Sequence, residues 1–177
     1  MGRKINSGLS IGVRGQLSFE NYELMNKLNE QKQANYPKHQ TLVTEEDIMK
    51  LQNTGVKFNK EDVIFVTNDS SGKLIWLEKG NDKSGLNHIK ARHSNDFAQK
   101  HGVSVDKIQS HIKNIIEHGK LEYEKVTQRN GRECYERLYS KSGKYYLQTG
   151  VGSNGYLVSA YPISKKEALA LIRRNKK

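Results

Sequence analysis

The sequence predicts an α+β protein. Two amphipathic helical segments lie near the middle of the chain, and a series of strand-like runs broken by Asn130-Gly131, Ser142-Gly143 and Asn154-Gly155 follows them. A capping-box helix closes the chain. Strands joined by tight turns pair with their neighbours, so helices fall to one side of an antiparallel sheet instead of alternating with parallel strands. The expected order from residue 62 is β-β-α-α-β-β-β-β-α.

Residues 1–58 are read as an N-terminal extension or precursor segment, and 59–177 as the functional domain. Residues 1–40 are polar, rich in Gly, Asn and Gln, and weakly periodic, with Asn35-Tyr36-Pro37 as a break. A poorly ordered arm is expected there, with a short helix at 19–32. Thr44 is an N-cap with Asp47 three residues on, and Ile48 and Leu51 are the buried pair of a short helix.

From Asp62 the period changes. Residues Val63 to Thr67 form a largely apolar strand, Asp69-Ser70-Ser71-Gly72 is turn chemistry, and Leu74 to Leu77 return as the partner. A helix over 86–100 ends near Gly102. A second starts from an N-cap at Ser104, carries Val105, Ile108, Ile112, Ile115 and Ile116 on one face, and closes at Gly119. Strands are expected at 121–128, 133–140, 144–151 and 156–161, because Asn-Gly supplies the positive φ that a two-residue hairpin turn requires. Ser164-Lys165-Lys166-Glu167 opens the last helix, to about 174.

Thirty Lys+Arg against nineteen Asp+Glu give a net charge of +11, a balance that favours polyanionic partners. Nine basic and six acidic residues fall in 1–60, which leaves +8 to residues 61–177. The single Cys134 excludes an internal disulfide and a cysteine-only zinc site, and its place among alternating strand residues suits a packed thiol. No apolar run approaches the ~20 residues of a membrane span, and the N-terminus lacks a signal peptide's apolar segment.

The chemistry-bearing residues sit in two places. At 100° per residue, Leu86, Ile89, His93 and Phe97 form a narrow stripe, with His88, Arg92, Asn95 and Gln99 roughly opposite. His88 and Arg92 are i,i+4 neighbours, and His93 lies about 140° from His88 on this wheel, so the two histidines are not expected to share a face. The plain alternative makes His93 a hydrogen-bonded residue of the packed face and His88 a solvated one. Imidazole titrates near neutrality and can both accept and donate a proton, which suits acid–base work. His101, a third candidate, precedes Gly102 at a helix end, where capping is the stronger explanation. His39, His111 and His118 lack a partner motif and are read as structural or solvated.

In the strand 156–161, Leu157, Ser159 and Tyr161 are expected to point one way. A hydroxyl and a phenol there can bind a phosphate or stack on a base, although a core Tyr fits the alternation as well. No Asp-x-Asp or Glu-x-Lys cluster offers metal ligands, no Gly-x-Ser-x-Gly elbow is present, and Gly80-Asn81-Asp82-Lys83-Ser84-Gly85 lacks the ending of a phosphate loop. No cofactor or metal is expected.

Trp76-Leu77-Glu78-Lys79-Gly80-Asn81, then Gly85-Leu86-x-His88-Ile89-x-x-Arg92-His93-x-x-Asp96-Phe97, and finally Ser159-x-Tyr161-Pro162 resemble the barnase/EndoU/colicin/RelE (BECR) superfamily of ribonucleases. The likeness is to the EndoU-like branch found in phage proteins and polymorphic bacterial toxins, and it covers about residues 60–175. It implies helices packed on a curved antiparallel sheet and metal-independent cleavage of RNA, with tRNA a candidate target, to a 2′,3′-cyclic phosphate. By this resemblance His88, Arg92, His93, Ser159 and Tyr161 are catalytic, and Lys90, His101, Lys141 and Lys144 contact the substrate. The family spaces its two histidines farther apart than His88 and His93, which makes His101 an alternative second histidine; Lys141 and Lys144 both fit its lysine. An acidic immunity protein as partner follows for a toxin, with action in a bacterial cytoplasm after release or delivery as part of a larger toxin or phage protein. A non-catalytic RNA-binding module, or a phage structural or assembly module, of the same fold is the alternative.

Overall fold

A computed structural model describes residues 42–175. The chain divides into two units, residues 1–39 and 40–177, and the second is described here. The helix expected at 19–32 and His39 lie outside the described residues.

Among the described residues are four α-helices and two antiparallel sheets. Helix α1 (Glu45–Asn53) precedes the hairpin β1 (Val63–Asn68) and β2 (Leu74–Glu78). Helices α2 (Gly85–His101) and α3 (Ile108–His118) follow. The larger sheet, in the order β3-β4-β5-β6, is built from β3 (Lys120–Arg129), β4 (Arg132–Lys141), β5 (Lys144–Gly152) and β6 (Ser159–Ile163), and α4 (Lys165–Asn175) ends the unit.

The local signals explain these elements. Thr44 Oγ1 accepts from Asp47 N while the Asp47 carboxylate accepts from Thr44 N, a reciprocal cap at the start of α1. Ile48 and Leu51 are buried against Val63, Val66 and Trp76, so α1 is part of the folded unit, which reaches N-terminal of the expected boundary at 59. Asn130 and Ser142 both take positive φ, 52° and 51°, followed by Gly131 and Gly143. These tight turns set the registers Arg129↔Arg132 and Lys141↔Lys144. Ser164 and Glu167 cap α4 reciprocally, as expected.

Ser104 leads into a 3₁₀ turn, Val105–Lys107, before α3 begins at Ile108. A larger departure is at Asn154-Gly155, which is not a two-residue hairpin. Six residues, 153–158, connect β5 to β6, because the backbone there pairs with β2: Trp76 N donates to Gly155 O and Leu157 N donates to Trp76 O. Pairing with β5 begins only at Ser159. Leu157 therefore joins the main core, whereas Tyr161 packs on the opposite face of the sheet, and the expected common side of Leu157, Ser159 and Tyr161 does not hold.

One face of the large sheet, with Tyr139, Tyr146 and Ala160, closes on Leu86, Ile89 and Phe97 of α2 and Ile108, Ile112, Ile115 and Ile116 of α3. The other face carries Tyr123, Leu138, Leu147, Tyr161 and Ile163, with Ala168, Leu171 and Ile172 of α4 against it. Cys134 is a buried thiol, as its alternation implies. Among the described residues no helix is long and apolar enough to cross a membrane.

Gly155 has φ +84°, and a Cβ built there would lie 2.2 Å from Leu74 O. Gly143 has φ +74° with nothing within 4 Å. Both alanine variants carry the ~1–2 kcal/mol penalty of left-handed backbone, but only Gly155→Ala adds a backbone overlap. Urea denaturation should show Gly155→Ala lowering the midpoint clearly more than Gly143→Ala. Equal losses would mean that the seam at Gly155 is not close-packed.

Candidate functional site

Helix α2 is fixed against the edge strand β6 at both ends. Gly85 N donates to Val158 O at 3.0 Å, and Lys100 Nζ donates to Pro162 O at 3.3 Å. Gly85 is held at φ +82°, where a Cβ would sit 2.8 Å from Glu78 O, so the chain turns into the helix tightly against the end of β2. The middle of α2 is thereby brought level with Tyr161.

His93 stacks on Tyr161, with ring centroids 4.4 Å apart and planes 18° from parallel. His88 stands edge-on to His93 at 6.0 Å. The helical wheel separated these two histidines, and the structure brings their rings together. Wheel angles describe Cβ directions, whereas the two imidazoles extend beyond Cβ and meet edge to face.

Each imidazole has one nitrogen committed. His88 Nδ1 lies 2.8 Å from Asp82 O, and His93 Nδ1 lies 3.3 Å from Asp96 Oδ2. A carbonyl and an ionised carboxylate can only accept, so each Nδ1 carries a proton and each neutral ring keeps Nε2 as its acceptor. Burial pushes the His93 pKa below its ordinary value, against the pull of the Asp96 carboxylate. Asp96 in turn is 3.0 Å from Lys100 Nζ; its own burial would raise its pKa, but Lys100 and His93 hold it below the usual carboxylate range.

Ser159 is buried, 5% exposed, and its Oγ has no hydrogen-bond partner among the described residues. Tyr161 has its phenol pushed up by burial and by the nearby Glu136, Asp96 and Glu167 carboxylates. Glu136 accepts from Tyr123 Oη at 2.7 Å on that same face. Arg92 is exposed on α2, one turn from His88.

The remaining expected residues fall elsewhere. His101 comes thirteen residues after His88, about 20 Å along the axis at ~1.5 Å per residue. Its ring lies edge-on to Tyr146 at 4.4 Å, and His111 Nε2 is 2.7 Å from Tyr146 Oη. Lys144 Nζ donates to His101 O, and Lys141 Nζ bonds the Asn114 side chain. His101, Lys141 and Lys144 thus form a second cluster at the far end of α2, apart from His88 and His93. Lys90 is half-buried near Asp106, with burial lowering its pKa.

Asp96, Glu136 and Tyr123 join the site without having been expected there. Glu136 could have been found by counting back from the Asn130-Gly131 turn, since Lys125↔Glu136 follows from that register and period 2 puts Glu136 beside Leu138 on one face. Among the described residues, no group of three or more His, Cys, Asp or Glu side chains converges as a metal-ligand set. No protein-family model matches the chain, and comparison with curated proteins gives no match.

Burial, with Lys144, His111 and Lys100 adding repulsion, pushes His101 down to about 4 from 6.5. The folded protein therefore holds this imidazole neutral where the unfolded chain would protonate it. Between pH 6.5 and about 4 the unfolded state binds the extra proton, so stability falls as pH is lowered through that window. The melting temperature should drop over this range, and His101→Gln should flatten the drop. An equally steep drop in His101→Gln would mean that this imidazole is not the group held neutral by the fold.

Proposed function

We propose that the chain is a metal-independent endoribonuclease acting at His88, His93, Ser159 and Tyr161. The observation that carries this reading is the meeting of two imidazoles, each with Nδ1 engaged, with a phenol from a distant strand, beside a buried hydroxyl that has no partner among the described residues. An unsatisfied buried hydroxyl costs about 1–3 kcal/mol, and a substrate phosphate or base that accepts from it would offset that cost. The basic excess of residues 61–177 and the resemblance to BECR ribonucleases point the same way.

In this mechanism His93, neutral at pH 7, takes the 2′-OH proton on Nε2 as the 2′-oxygen attacks the adjacent phosphorus. His88, acting in its imidazolium form, gives its Nε2 proton to the 5′-oxygen as the P–O5′ bond breaks. The products are a 2′,3′-cyclic phosphate and a 5′-hydroxyl. Asp96 orients His93 and stabilises its imidazolium; Arg92, one turn from His88, offsets phosphate charge; Ser159 and Tyr161 position the nucleotide. In a toxin setting, an acidic inhibitor would be the complementary partner. A non-catalytic RNA-binding module would use the same basic surface but has no need for the His93–Asp96 pair.

Purified protein should cleave total tRNA in EDTA and leave cyclic phosphate ends; activity that vanishes on chelation and returns with Mg²⁺ or Zn²⁺ would refute the mechanism. His88→Ala should lose at least ~100-fold in rate with its fold intact.

Asp96→Asn removes a group that raises the His93 pKa. The ascending limb of kcat/KM against pH should move to lower pH, and the plateau should fall. An unchanged profile would mean that His93 is not the base.

Ser159→Ala should weaken cleavage while holding or raising stability, because it deletes an unsatisfied hydroxyl, and Tyr161→Phe should weaken cleavage within ~1 kcal/mol of wild-type stability. Single-turnover rates and melting curves read both. Normal rates in the pair would locate the site elsewhere.

A further inference from the structure

A groove of about 820 Å³ opens between the β3–β4 hairpin tip, the β5–β6 connection and the start of α2. Its size is in the upper part of the ~300–1,000 Å³ range of ligand sites. Four cations line it, Lys57, Lys83, Arg129 and Arg132, against two carboxylates, Glu78 and Glu133. All four cations are exposed. None forms an ion pair among the described residues, whereas Lys73, Lys79, Lys100, Lys113, Lys120 and Arg137 all do. Both carboxylates are already engaged: Glu133 accepts from Tyr135 Oη and Glu78 accepts from Asn59 N.

An aromatic ring completes the wall. Tyr156 lines the groove, is backed by Trp76 at 5.0 Å, and has its hydroxyl 3.2 Å from Ser84 Oγ. A ring held at its back and at its hydroxyl is a preorganised stacking platform. Unpaired cations beside such a platform match the two requirements of single-stranded nucleic acid, phosphate neutralisation and base stacking.

The groove also reaches the start of the helix that carries the histidines. Ser84 lines it immediately before α2 begins, and His88 is four residues on. Val158 lines it, and Ser159 is the next residue. We infer that this groove is the track for the RNA strand leading into the His88–His93 site, with Arg129 and Arg132 on phosphates and Tyr156 under an unpaired base. The inference rests on the nuclease reading for the identity of the strand. It extends that reading to the substrate class, single-stranded and not duplex RNA, because a base still paired cannot lie on Tyr156.

The test is fluorescence anisotropy of the full chain with a short fluorescein-labelled 2′-O-methyl oligoribonucleotide, which cannot be cleaved, at several salt concentrations. Arg129→Glu/Arg132→Glu should raise Kd at least ~10-fold and reduce the slope of log K against log salt by about 1.4, since each single-strand phosphate contact contributes ~0.7. Tyr156→Leu should weaken binding by roughly 10-fold with the slope unchanged, as expected for loss of stacking. Lys107→Glu/Arg174→Glu, an equal charge change at exposed residues outside the groove lining, should change Kd by less than ~2-fold.

Equal effects of the two charge-reversal pairs, or preference for the matching duplex, would overturn the groove assignment. The two proposals fail separately. Tight, groove-dependent binding with no cleavage of unmodified RNA would remove the nuclease reading and keep the groove. Cleavage whose KM is untouched by Arg129→Glu/Arg132→Glu would remove the groove and keep the nuclease.

Discussion

The architecture of this unit depends on a backbone seam at residues 155–158. Trp76 holds this segment from one side, accepting from Leu157 N and donating to Gly155 O, while Gly85 N takes Val158 O from the other. Three hydrogen bonds thus join the small sheet, the start of α2 and the edge of the large sheet. The seam admits only glycine at 155, where Leu74 O occupies the space of a Cβ. Without it, α2 would have no fixed height along β6, and the stacking of His93 on Tyr161 would have no defined register.

Side chains reinforce the seam at a second point. Tyr139, fully buried in β4, donates to Asp69 in the β1–β2 turn, and the same carboxylate holds Ser71 and Lys73. Arg137, 3% exposed, pairs with Glu124, which also receives Lys73. Buried charges of this kind contribute little net stability over an apolar filling, but losing one partner is costly. The network therefore fixes how the hairpin seats on the large sheet, and α2, which leaves directly from that hairpin, inherits the alignment.

At the histidine pair, the same helix serves the core and the candidate site. Leu86, Ile89 and Phe97 bury one side of α2 in the core, and His88 and His93 leave from its flanks. A lowered pKa keeps His93 neutral near pH 7 while Asp96 supports the charge it would gain on accepting a proton. Rigid supports on both sides, the core beneath and the seam at the N-terminus, preorganise groups that a loop would hold less firmly.

The sequence by itself determined the elements whose causes are local. Reciprocal caps at Thr44 and Ser164, positive-φ turns at Asn130 and Ser142, and the isoleucine face of α3 are decided within a few residues, and each is found where expected. The α+β class follows from their order. His88, His93, Ser159 and Tyr161 were legible as chemical types, but their grouping was not. The wheel set the histidines apart, and Asn154-Gly155 read as a hairpin. Non-local contacts decided both: pairing with Trp76 drew residues 155–157 out of the β5–β6 ladder, and stacking on Tyr161 of β6 fixed the His93 ring, with His88 edge-on to it. Tertiary structure also separated His101, Lys141 and Lys144 from the pair, since a rigid helix keeps its two ends about 20 Å apart whatever their chemistry.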